Sequence, residues 1–76
     1  MPHTPKIPSG RQVAERIAAE RVRLGLTQAE VADRLDISRE TYKQLERHAN
    51  PQAGTLYALV FRVGMNPAAI LPELFA

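Results

Sequence analysis

Residues 26–46 read LTQAEVADRLDISRETYKQLE, a run without proline or cysteine. Its apolar residues nevertheless fall into two short helical sets rather than one long one. Thr27 and Glu30 in TQAE have the spacing of a capping box, in which each side chain accepts from a backbone amide that the helix start leaves open. Val31, Ala32 and Leu35 then line one face, which predicts a helix over 28–35. Asp36 tolerates a left-handed turn better than most residues that carry a side chain, Ile37 anchors that turn in the core, and Ser38 caps a new helix through its hydroxyl. That helix, over 39–47, has only Tyr42 and Leu45 for its apolar side and turns Arg39, Glu40, Lys43, Gln44 and Arg47 away from the core.

Working outward, SGRQ places Ser9 three residues before Gln12, a second capping box, and Val13, Ile17 and Leu24 with Ala14 and Ala18 predict a helix over 10–24. Gly25 is its stop, because glycine enters the left-handed region at little steric cost. On the other side, Asn50-Pro51 and Asn66-Pro67 each pair a cap with a proline at the first helical position, predicting helices over 51–63, ended by Gly64, and 67–71. Pro72 interrupts before a last turn over 73–75. Pro2, Pro5 and Pro8 keep residues 1–8 out of helical geometry, so these read as a flexible arm ahead of one domain over 9–76. No alternation of strand length stands out.

Seventy-six residues suffice for one domain but leave little room for a deep enzyme cleft. Histidines at 3 and 48 and the absence of cysteine provide no metal-ligand cluster. The serines, Ser9 and Ser38, are explained as caps, and no nucleophile–histidine–carboxylate set accompanies them. Thus neither an enzyme nor a cofactor is expected. No apolar run approaches the roughly 20 residues that span a bilayer, and no signal-peptide pattern opens the chain, so a cytoplasmic location is the expectation. The net charge of +2 is too small for nucleic-acid binding by charge alone. Any such role depends on where the charges sit.

Two short helices joined by a tight turn, the second poor in apolar and rich in hydrogen-bonding side chains, suit a helix that enters the DNA major groove. Residues 28–46, with the preceding RVRLGLT and the later TLYAL, resemble the Xre-type helix-turn-helix family of phage repressors and Cro proteins, over about residues 11–71. The resemblance implies an all-α, compact five-helix, lambda-repressor-like domain that binds double-stranded operator DNA, usually as a homodimer. By position it assigns base reading to Arg39, Glu40 and Gln44. It assigns backbone contacts to Gln28, Ser38, Thr41, Lys43, Arg47, His48 and Asn50; Lys6 in the arm and Arg11 at the start of the first helix are placed to add phosphate contacts. Arg21 and Glu46 match an ion pair that ties the first helix to the third.

Two departures from the family stand out. Asp36 occupies a turn position where glycine is usual, so the turn is either strained or bonded by the aspartate to its own backbone. TLYALVFRV has one charged residue where related helices expose several, which leaves Tyr57 and Phe61 as an aromatic stripe four residues apart. Either the fifth helix and the tail Leu74-Phe75 fold back over that stripe, or all four aromatic and tail residues serve a dimer or partner interface. The expected function is a transcriptional regulator, most simply a repressor on a palindromic operator. The alternatives are an antitoxin that binds a toxin and autoregulates its operon, and a restriction-modification controller protein.

Overall fold

Ser9 starts the first element as its side-chain pattern predicts. Its hydroxyl accepts from the Gln12 amide at 3.1 Å while the Gln12 side chain accepts from the Ser9 amide at 2.9 Å. The computed structural model describes residues 7–75; the expected arm over 1–8 therefore lies mostly outside the described residues, as do His3 and Lys6. Among the described residues there are five α-helices and no strand: α1 (Gly10–Arg23), α2 (Gln28–Leu35), α3 (Arg39–Leu45), α4 (Ala53–Ala58) and α5 (Pro67–Ile70). A π-helical segment, Leu59–Val63, continues α4, and a 3₁₀ turn, Pro72–Leu74, follows α5.

The ends of the first two helices are closed in the same way by different residues. At the end of α1, Gly25 is left-handed with φ 71°, and the amides of Gly25 and Leu26 bond back to the carbonyls of Val22 and Arg21. At the end of α2, Asp36 takes φ 57° and ψ 44°, and the amides of Asp36 and Ile37 bond to the carbonyls of Asp33 and Ala32. Both are Schellman closures. The Asp36 carboxylate makes no hydrogen bond to its own backbone, so of the two expectations for this turn the strained one holds. Ser38 then caps α3, accepting from the Thr41 amide at 3.1 Å.

The core gathers Val13, Ala14 and Ile17 from α1, Val31, Ala32 and Leu35 from α2, and Tyr42 from α3, with Leu59, Val63, Met65 and Ile70 from the C-terminal half, while α4 adds only the partly buried Leu56 and Ala58. α2 packs on α3 and on the π-helical segment, and α1 packs on α5. Two clamps hold α1 to the C-terminal half. Arg16 donates to both oxygens of Glu73 at 2.9 and 2.8 Å and to the Ile70 carbonyl. Glu20, only 6% exposed, accepts from Arg23 and from the Asn66 backbone amide at 2.8 Å, and the Arg23 bond is the main reason its carboxyl lies below the ordinary range.

The start of α4 corrects the sequence reading. Asn50-Pro51 does not open it; α4 begins at Ala53 with Gln52 at the cap and no side-chain cap bond. Ala49 is buried and pins the loop against α1 so closely that a Cβ on Gly10 would lie 2.6 Å from the Ala49 carbonyl oxygen. The backbone therefore turns through Asn50, Pro51 and Gln52 before a helix can form. The α-helix also ends earlier than 63, because hydrogen bonding widens from Leu59 onward; Gly64, left-handed at φ 90°, closes it at the residue expected. Asn66-Pro67 behaves as predicted, the Asn66 side chain accepting from the Ala68 amide at 3.0 Å.

Candidate nucleic-acid interface

α3 is anchored from below by one buried ring and one ion pair. Tyr42 has no exposed surface, and among the described residues its buried hydroxyl has no hydrogen-bond partner, although it lies close enough to feel the charge of Glu46. Burial, and then that carboxylate, push the phenol above its ordinary value. Beside it, Arg21 grips Glu46 with two bonds of 2.7 and 3.2 Å and also donates to the Leu26 carbonyl. The Gln28 carboxamide donates to the same carboxylate at 3.1 Å. Burial opposes ionisation of Glu46, but the bonds from Arg21, with Tyr42 and Gln28 nearby, outweigh it and hold its carboxyl below the ordinary range. α1, the start of α2 and the end of α3 are thereby fixed at one point.

On a helix of 3.6 residues per turn, Glu40 and Gln44 project from the side opposite Tyr42. Both are exposed, as are Arg39, Thr41, Arg47, His48 and Asn50. Arg39 and Gln44 form neither an ion pair nor a side-chain hydrogen bond among the described residues, whereas Glu40 is drawn to Lys43 at 3.3 Å. The Ser38 hydroxyl is occupied by the cap and by the Thr41 hydroxyl, 2.7 Å away. α3 thus brings together the residues expected to read bases, and its two ends bring together those expected on the backbone. Gln28 stands apart from this group because its side chain is turned inward to Glu46.

Ion pairing also sorts the basic residues. Arg11, Arg16, Arg21 and Arg23 on α1 each have a carboxylate partner. Arg34, Arg39, Arg47 and Arg62 are exposed and have none among the described residues. The sequence reading did not single out Arg34 or Arg62. The signal for Arg62 was present, since it is the only charge in TLYALVFRV. Nothing local marked Arg16 and Glu73 as partners 57 residues apart.

A helix-turn-helix family model matches residues 17–60, more than half of the chain. The chain belongs to the Xre/Cro-like helix-turn-helix family of DNA-binding domains. The match is narrower than the span of 11–71 over which the resemblance was drawn, but it contains α2, the turn and α3 complete. No curated protein and no solved structure matches the chain. Membership makes DNA the partner of this helix-turn-helix domain and regulation of transcription its general role. No helix in the described residues is long and apolar enough to cross a membrane.

Proposed function

We propose that this helix-turn-helix protein is a repressor that occupies a palindromic operator as a homodimer, with α3 in the major groove. The observation that carries this reading is the contrast across α3: Tyr42 is fully buried beside the Arg21–Glu46 pair, while Arg39 and Gln44 are exposed with their donors uncommitted. Arg39 has the fork to donate two bonds to guanine and Gln44 the amide to pair with adenine, each worth about 1–3 kcal/mol of discrimination. Glu40 accepts from cytosine by giving up an exposed pair with Lys43 that stabilises little. Thr41, Lys43, Arg47, His48 and Asn50, with the amides near Ser38, hold phosphates on either side. Gln28 spends one amide hydrogen on Glu46 and keeps the other for a phosphate.

The exposed Tyr57 and Phe61 support the homodimer. They equally suit a second protein, and if that protein is a toxin the chain is an antitoxin that autoregulates its operon. The test of base reading is Arg39→Ala, measured on a site selected from random duplexes and on a scrambled control across a salt series. Loss of about tenfold or more on the selected site alone, with the preference at one base pair relaxed, is the expected result. Equal loss on both duplexes makes Arg39 a phosphate contact and removes it from the reading set.

A further inference from the structure

A groove of about 450 Å³ runs beside α3, between it and the wall formed by α4 and the π-helical segment. Thr41, Gln44 and His48 face it from the α3 side, Thr55 and Arg62 from the opposite wall, and Asn50 from the connecting loop. Each of these six side chains can donate a hydrogen bond, and Arg62 carries a permanent charge without a carboxylate partner among the described residues. No aspartate or glutamate lines the groove. Leu35, Ile37 and Leu45 add apolar lining. Its volume lies within the range of about 300–1,000 Å³ typical of small-molecule sites, where apolar walls carry a few convergent polar groups.

A phosphodiester backbone would use the donors but has no use for the apolar lining, whereas an amphipathic anion uses both. We propose that the groove binds a small organic anion, a carboxylate or phosphate monoester carried on an aromatic or aliphatic body. The anionic group sits at Arg62 and the apolar body lies against Leu35, Ile37 and Leu45. Occupancy excludes DNA, because Thr41, Gln44, His48 and Asn50 belong to both surfaces; this part alone rests on α3 being the DNA-reading helix. Arg62 lies beyond the family match, which ends at residue 60.

The experiment titrates the full chain, labelled with ¹⁵N, with 2-naphthoate and 2-naphthyl phosphate, using neutral 2-naphthamide as the control. The expected result is saturable shifts confined to the amides around Thr41, Gln44, His48, Thr55 and Arg62, with affinity about tenfold lower for the amide. Arg62→Gln, at an exposed position, weakens both anions by about tenfold, while Arg47→Gln, equally exposed but outside the groove, leaves them unchanged. No saturation by about 10 mM, shifts centred elsewhere, or equal effects of the two variants overturn the site. A mixed-sequence duplex at low salt then displaces the probe. Undiminished probe binding on duplex-saturated protein overturns the exclusion while leaving the groove, and a chain that binds no duplex overturns the DNA reading instead.

Discussion

Asp36 shows how little of a turn depends on the identity of one residue. Its backbone occupies the left-handed region that Gly25 occupies one helix earlier, with the same two closing bonds, yet it carries a Cβ, and its own amides donate no hydrogen bond to its carboxylate in return. Glycine relieves roughly 1–2 kcal/mol of left-handed strain but gives back about half of that through the freer unfolded chain. Asp36→Gly is therefore expected to stabilise the fold by about 0.5–1 kcal/mol, read as a melting temperature about 2–8 °C higher. An unchanged or lower melting temperature means that the carboxylate contributes something that no contact in the structure explains. The position of this turn was legible because Leu35 ended one apolar set and Ser38 opened the next; the choice between strain and side-chain bonding was not, because both use the same residue.

At the scale of elements, α3 has seven residues and needs outside support to hold a fixed geometry. Glu46, whose side chain is 9% exposed, concentrates that support by accepting from Arg21 and Gln28 at once. Glu46→Gln leaves the Arg21 guanidinium half-buried without its counter-charge, and the expected cost is roughly 2–3 kcal/mol, between a surface pair and a fully buried one. Chemical denaturation measures it directly. The pH dependence follows from the depressed carboxyl: the native state binds the proton less readily than the unfolded chain. The stabilisation is thus complete above the unfolded value near 4.5 and is lost as pH falls through the lower native value. The variant should show a shallower loss of stability over that acid window than the parent. Equal slopes would mean that Glu46 contributes nothing to the acid response.

At the scale of the molecule, the question is what covers the aromatic pair. Tyr57 is 65% and Phe61 81% exposed, and their rings lie 6.4 Å apart. The expectation that the tail folds over them is not met, since Leu74 and Phe75 are themselves 74% and 61% exposed. The tail is drawn to α1 by the Arg16–Glu73 clamp. If the aromatic pair serves the proposed dimer, two copies of α3 must stand about 34 Å apart, one helical turn of DNA. Phe61→Asp is then expected to give a folded monomer in ultracentrifugation with much weaker affinity for a two-half-site duplex and unchanged affinity for a single half-site. A dimer mass that survives the substitution removes this face from the interface.

The helix starts at Ser9, Thr27, Ser38 and Asn66, the stops at Gly25, Asp36 and Gly64, and the division of α3 into a buried Tyr42 and an exposed polar face are all legible in the sequence. These features depend on groups a few residues apart, so capping and periodicity state them directly. The sequence also reached the Arg21–Glu46 pair, although only through the family resemblance. Only packing sets the start of α4 at Ala53, widens its second half, pairs four arginines while leaving four without a carboxylate among the described residues, and places Arg62 across a groove from Gln44. Each of those outcomes is set by contacts between distant segments, such as Glu20 with Asn66 across 46 residues and Arg16 with Glu73 across 57. No local preference encodes such distances; they arise only when the helices close on a common core.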